Sequence, residues 1–337
     1  DIVKQVSVFS ASDLTQATIF GLGIMPYISA SIIMQLMTSV VPTLEQLKKE
    51  GEQGRKVINQ YTRYGTVLLA TLQAYGIAVG LDSSQSGIVT DPGWFFRISC
   101  VITLVGGTMF LMWLGEQITA RGIGNGISLI IFAGIVAALP GAVAQMLELG
   151  RTGAMSTGLI ILVIVIAVAV IAFIVFVERA QRRLLIQYPK RQVGNKMYGG
   201  ENSHLPLKLN TAGVIPPIFA TSLLLLPTTV ASFYASSGDA GWLGTMAAFL
   251  GRGQPAYLLL FASLIAFFVF FYTAVVFNPE DVADNLKKQG GFVPGIRPGK
   301  RTAQYLDFVL TRLSVVGAIY LVLICLLPEI LISNLGV

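Results

Sequence analysis

Two short stretches of this chain carry cations at spacings that suit a binding surface. The first, NPEDVADNLKKQGGFVPGIRPGKRT, covers residues 278–302. Asn278 suits a helix N-cap, Pro279 its first position, and Glu280 and Asp281 its positive end. Lys287 and Lys288 lie at the negative end, and Gly290 can terminate the helix. Pro294-Gly295 and Pro298-Gly299 then mark two turns with Arg297 held between them and Lys300 and Arg301 directly behind. The second stretch, YPKRQVGNK at 188–196, presents Lys190 and Arg191 in the same manner. Cations on stiff, exposed tips attract an anionic lipid surface, RNA or an acidic protein. The competing reading is a solvated signal for membrane topology and nothing more.

Bond-making chemistry is poorly supplied. There is one histidine, His204, and the two cysteines, Cys100 and Cys325, both sit in apolar runs. A disulfide framework needs more cysteines in water-exposed loops, so both read as small packing residues. No His or Cys cluster suits a metal or haem, and no glycine loop suits a phosphate. Glu116 and Glu178 stand at the ends of apolar runs without an obvious partner in the sequence. The residues argue against an enzyme, and no cofactor is expected.

The elements that must position the cations are membrane spans. Of the 337 residues, 54% are apolar and 12% charged, against about a quarter charged in soluble domains. Mean hydropathy is +0.73. Apolar windows recur that are long enough to cross a hydrocarbon core about 30 Å thick. Eight spans are predicted, at 22–41, 64–81, 95–114, 127–144, 159–177, 213–234, 256–277 and 308–327. An outer-membrane barrel is excluded, because its strands alternate polar and apolar over about ten residues. The chain starts at Asp1, which is not a natural first residue, so it reads as a piece of a longer product.

Charge gives the orientation. Of the 23 Lys and Arg residues, all but Lys4, Arg97, Arg151 and Arg252 fall on one set of alternate loops or at span ends facing them. Positive-inside bias puts that set in the cytoplasm. The three long loops, 42–63, 178–212 and 278–307, all lie on that side. They far exceed the 2 to 8 residues that usually join helices in a bundle, so they should serve a partner. No Asp, Glu, Lys, Arg or His lies near the middle of a span; Arg97, Asp307 and Arg312 lie near ends, where long side chains can snorkel. Ion-coupled carriers normally keep ionisable groups at membrane depth.

Two spans read as interrupted near one end by proline and share a pattern: GIMPYISASII from Gly23 and VIPPIFATSLL from Val214. The charge argument runs them in opposite directions, which hints at an inverted repeat. On the first, Ile24, Ile28, Ser31 and Gln35 share a face; Ile127 and Ile131 share another four residues apart. Such isoleucines ordinarily face lipid or pack. Set around a narrow passage, branched side chains exclude water and ions by dewetting. Gln35 and Asn125 need a partner or water, because an unbonded amide in hydrocarbon is costly.

At this level of detail the chain resembles the SecY family, the main subunits of the bacterial protein-conducting channel. The stretches that carry the likeness include GIMPYISASIIMQLMTSVVPTLEQLKKEGEQGRKVINQYTRYGT, ARGIGNGISLIIFAGIVAALP, SHLPLKLNTAGVIPPIFATSLLLLP and the 278–302 loop with the span behind it. The resemblance implies an all-α, polytopic bundle of two pseudo-symmetric inverted halves, 1–144 and 145–337, with eight of the family's ten spans present. It implies passage of unfolded polypeptide and lateral release of apolar segments into lipid. Ile24, Ile28, Ile127, Ile131 and Ile218 correspond to the pore ring. Ser29, Gln35, Asn125, Ser222 and Leu226 fall along the lateral gate. Arg297, with Lys190, Arg191, Lys287, Lys288, Lys300 and Arg301, belongs to the surface that docks the motor ATPase SecA or a ribosome and its RNA. Residues 5–20 stand where the family has its plug, although they lack the expected glycine pair. The implied partners are SecE, SecG, signal peptides, nascent chains and membrane lipids, at the bacterial plasma membrane. The alternatives are a secondary transporter for an apolar or zwitterionic solute and a purely structural membrane scaffold.

Overall fold

The computed structural model describes residues 23, 25–82, 91, 93–154, 156–213, 215–221, 223–224 and 255–335. The plug-position segment, Ile24, Ser222, Leu226 and most of the predicted span 213–234 lie outside them. The described residues fall into two compact units: residues up to Thr157 with 223–224 in the first, and Gly158–Thr221 with residues from 255 onward in the second.

The first unit is helical. Helix α1 (Met25–Val40) starts two residues after Gly23, whose φ of 58° is the left-handed conformation that glycine adopts freely. Pro26 sits in its first turn, where a missing N–H is harmless. The proline therefore opens the helix and does not interrupt it. Val41 is extended, the conformation favoured before proline, and α2 (Pro42–Lys49) leaves α1 at 98°. Helix α3 (Glu52–Asp82) is 31 residues long. The stretch read as the loop 42–63 is thus α2 and the first turns of α3. Helices α4 (Trp94–Arg121) and α5 (Gly126–Arg151) follow, and α1 packs on α3, α3 on α4 and α4 on α5.

Small residues permit these approaches. Thr66, Ala70, Ala74 and Ala78 recur every fourth position on α3, all fully buried. They form the kind of ridge that lets backbones close where lipid offers no hydrophobic drive. Leu104 packs into this ridge with Cys100, which is a free thiol used for packing. At the α4–α5 turn a Cβ on Gly126 would lie 2.0 Å from the Gly115 carbonyl oxygen, so only glycine fits.

The second unit mixes helix and strand. Helix α6 (Thr157–Arg179) leads into an antiparallel ribbon of β1 (Gln181–Gln187) and β4 (Asn202–Lys208), with Leu184 opposite Leu205. Between them lies a hairpin of β2 (Arg191–Val193) and β3 (Lys196–Tyr198). Its two-residue turn, Gly194-Asn195, has Gly194 at φ 66°. The loop 178–212 is therefore largely β-structure inside an otherwise helical protein. Residues 215–221 are helical, with Pro216 and Pro217 in the first turn, two residues after Gly213 at φ 70°. Then come α7 (Pro255–Val276), α8 (Pro279–Gln289) and α9 (Lys300–Leu335), with α9 packed against both of the others.

Five of the described helical segments are long and apolar enough to cross a membrane, and six if α1 and α2 form one broken span. The predicted span 64–81 lies within α3, which is not among them.

Candidate functional site

The 278–302 loop folds as its residue types dictate. Asn278 Oδ1 accepts from the Glu280 N–H at 3.1 Å, and Gly290 closes α8 at φ 77°. Glu280 and Asp281 sit at the positive end, Lys287 and Lys288 at the negative end, where each favours the helix dipole. Past the helix, Ile296 N–H bonds the Val293 carbonyl in a turn, and Gly295 and Gly299 supply φ values of 79° and 104°. The Thr302 hydroxyl donates to the Arg297 carbonyl at 2.8 Å, and Thr302 itself is buried. The Arg297 backbone is thereby pinned while its side chain is exposed, as are those of Lys287, Lys288, Lys300 and Arg301.

The sequence treats the two basic stretches as separate projections; the structure gives them a common base. Gln187 and Phe292 exchange two backbone hydrogen bonds, at 2.9 and 3.0 Å. Phe292 thus extends the ribbon by one bridge on the free side of β1. A Cβ on Gly291 would stand 2.9 Å from the Tyr188 ring and 3.1 Å from Ile186. Beneath them Leu184 and Leu207 pack with Leu306, Val309 and Leu313 of α9, flanked by Phe277, Val282 and Tyr305. Lys190, exposed, leaves this base at the start of the hairpin, and the Arg191 backbone opens β2 opposite Tyr198. The signal that marks the ribbon in the sequence is the period-two pattern of Leu184 and Ile186 against Leu205 and Leu207, hidden there by the density of charge.

The isoleucines named for the pore divide by burial. Ile28 is 5% exposed and Ile131 6%. On α5 that is notable, because among its 26 residues the buried positions are Gly126 and Ile131; the adjacent Phe132 is 61% exposed. Ile127 and Ile218 are half-buried. Ile127 packs under Gly115, where a Cβ would come within 3.1 Å of its side chain. Ser29 is buried on α1. Gln35 Oε1 is buried and has no hydrogen-bond partner among the described residues. Asn125 acts locally, since its exposed side chain caps α5 by accepting from the Ile127 N–H at 3.1 Å.

The two glutamates left without partners by the sequence both have them. Arg63 on α3 grips Glu116 on α4 through two parallel bonds, Nε to Oε1 at 3.0 Å and Nη2 to Oε2 at 2.6 Å. Glu178 at the end of α6 accepts from Asn210 Nδ2 at 2.8 Å, and the Tyr320 side chain of α9 comes close to it. Partners 53 and 32 residues away cannot be found by local spacing. Arg312 lies over the Phe308 ring, 4.2 Å from its centroid, as an arginine near a span end can.

The model of the SecY family matches residues 18–337. The chain belongs to the SecY family. The protein translocase subunit SecY of Escherichia coli K12 is 57% identical over 330 residues, which cover 97% of this chain and 74% of that protein. Among solved structures, one described as a protein-conducting channel superposes with a TM-score of 0.66 at 19% identity, covering 95% of this chain and 76% of the other. Sec61 from a canine ribosome–channel complex of the endoplasmic reticulum does so with a TM-score of 0.60 at 18% identity, covering 93% and 75%. This SecY-family chain is a multi-pass membrane protein, mostly helical, and the channel subunit of a protein translocase. Its relatives lend nothing to the solute-transporter alternative.

Proposed function

We propose that the chain threads unfolded polypeptide through a constriction ringed by Ile24, Ile28, Ile127, Ile131 and Ile218, and releases apolar segments sideways past Ser29, Gln35, Asn125, Ser222 and Leu226. The observation that carries this reading is the withdrawal of Ile131 from a helix, α5, that otherwise exposes its large apolar side chains, together with the burial of Ile28 on α1. Branched hydrocarbon makes a seal that excludes water yet has no bond to break when a chain arrives. A lining without fixed charge suits substrates of any sequence. Lateral release sorts by composition: each Leu or Ile at mid-membrane gains roughly 0.3 to 0.6 kcal/mol, while a charge costs about 2.5 to 3.5. The halves 1–144 and 145–337 are the two walls of the passage.

The basic surface built on α8, the 291–301 turn and the β2–β3 hairpin docks the driving partner. Its rigid backbone supports this reading, since a preformed site spends little binding energy on ordering itself. The partner is SecA or a ribosome, and ribosomal RNA would bind the exposed cations through its phosphates; the structural likeness to Sec61 of a ribosome–channel complex fits the second. The chain itself performs no catalytic step, so energy comes from that partner or from the membrane potential. SecE and SecG complete the assembly in the bacterial plasma membrane, with the basic loops in the cytoplasm. Photo-crosslinking tests the path: a stalled export precursor should label a probe at Ile28, and labelling confined to lipid-exposed positions such as Phe132 would remove the passage.

A further inference from the structure

One buried polar cluster has no place in either the pore or the docking surface. Asn210 is 3% exposed. Its Nδ2 donates twice, to Glu178 Oε1 at 2.8 Å and to the Gly213 carbonyl at 3.2 Å. The Tyr320 side chain of α9 comes close to the same glutamate, and its ring lies 6.0 Å from that of Phe173 on α6. Three elements thus meet at one carboxylate: the end of α6, the linker 209–213 and the middle of α9. Asn210 Oδ1 stays buried and accepts from no described residue, so the side chain is turned wholly toward its two acceptors. The crossing is tight, because a Cβ on Gly317 of α9 would stand 2.7 Å from the Leu209 carbonyl oxygen.

The elements that leave the cluster give it meaning. The Gly213 carbonyl that Asn210 holds belongs to the left-handed residue, φ 70°, from which the helix at 215–221 departs. That helix packs by Phe219 on Phe268 and Tyr272 of α7, and carries Ile218. In the other direction, α9 runs unbroken from Lys300 to Leu335. At 1.5 Å per residue, Tyr320 lies about 30 Å along it from the Arg297 tip.

We propose that Glu178, Asn210 and Tyr320 form a pivot that sets the starting angle of the 215–221 helix and ties it to α9. They are positioning residues. A displacement of the docking tip reaches the root of that helix through a stiff rod and a hydrogen-bonded joint, without passing through the apolar seal. The pivot rests on the reading of 215–221 as the beginning of a gate helix, and the test separates the two.

The experiment uses the channel complex reconstituted in planar bilayers and in vesicles. Asn210→Ala removes both donations. The loss of one hydrogen bond to a charged group is equivalent to roughly tenfold in an equilibrium constant. The expected result is about a tenfold rise in resting ion conductance on that scale, together with passage of a precursor whose signal has a shortened apolar core. Tyr320→Phe keeps the ring against Phe173 and removes the hydroxyl beside Glu178, so it should move both readouts in the same direction by less. Asn210→Asp sets two carboxylates together and should be worse than either; adding Glu178→Gln restores a donor and an acceptor and should recover the resting seal in part. Wild-type conductance and wild-type signal discrimination in folded Asn210→Ala overturn the pivot, as does a swap no better than Asn210→Asp alone. Should Asn210→Ala not fold, unchanged conductance in Tyr320→Phe overturns it. A photo-probe at Ile218 in the otherwise wild-type chain guards the underlying reading. Labelling by a stalled precursor leaves the variants to judge the pivot alone; no labelling removes the gate helix and the pivot with it.

Discussion

The proposed docking region and the proposed apolar walls are held by different forces. Around β1, β4, α8 and the start of α9, a core of leucines is reinforced by directional bonds at each turn: the Asn278 cap, the Gln187–Phe292 pair and the Thr302–Arg297 clasp. Burying a leucine from water contributes about 1.5 to 3 kcal/mol, and each net hydrogen bond about 0.5 to 1.5. The core therefore supplies most of the stability and the bonds fix the shape. Along α1 and α5 the balance reverses. Ile28 and Ile131 are buried by dispersion alone, and lipid offers helices no hydrophobic drive to associate. On the function proposed above, one region must hold its form under load from a partner. On the same proposal, the other must yield to a passing chain and reseal. A densely stapled handle and a sparsely stapled wall, whose bonds at α5 gather at its start around Asn125 and Gly126, suit the proposed machine driven from one end.

The strongest way to break this comparison is Arg297→Glu. It reverses a charge on a pinned, exposed tip, and should abolish partner-driven uptake of a precursor into vesicles while leaving expression and proteolytic resistance of the 181–208 ribbon unchanged. Normal uptake would detach the tip from docking. Next in size is Leu184→Ala, which opens a hole in the small core. The expected loss is about 2 to 5 kcal/mol of local stability, read as faster hydrogen exchange of the β1 and β4 amides. Exchange as slow as in the wild type would mean the bonds, not the core, hold the handle. Ile131→Asn probes the wall. An amide attracts water into the seal; about 2 kcal/mol of altered desolvation is roughly 30-fold in resting conductance. An unchanged current would place Ile131 off the ion path, and Ile28→Asn offers the same measurement from α1.

The sequence made some of this legible and hid the rest for physical reasons. Helix starts and stops were readable, because caps and prolines act over one turn: Asn278, Pro279 and Gly290 sit where their chemistry predicts. The apolar runs gave the long helices, and the crowding of Cys100 against Ala70 and Ala74 fits its reading as a packing residue. The β ribbon was obscured, since Arg182, Arg183 and Lys208 mask an alternation only two residues deep on each strand. The shared base of the two basic stretches is set by a contact between Gln187 and Phe292, over a hundred positions apart, and no local pattern encodes that. Asn125 needed a partner by the sequence, and it has one close by, the N–H two residues on.

The smallest effect tests whether the walls are as free of staples as the comparison claims. Arg63 and Glu116 join α3 to α4 by a fork of two bonds, and they are 47% and 30% exposed. An ion pair that solvent reaches contributes about 0.2 to 1 kcal/mol, because water screens it and two long side chains must be ordered. The ridge of Thr66, Ala70, Ala74 and Ala78 beside it already fixes the same helix pair by close packing. Arg63→Lys keeps the charge and loses the fork, so it should lower thermal stability by about 0.5 kcal/mol or less and leave precursor passage untouched. A double-mutant cycle with Glu116→Gln gives the coupling directly. A coupling near 3 kcal/mol would mean that the pair is desolvated in the assembled membrane protein, since breaking a buried pair costs about 3 to 5. The first unit would then carry a polar staple of its own, and the division between handle and wall would have to be redrawn with α3 and α4 on the rigid side.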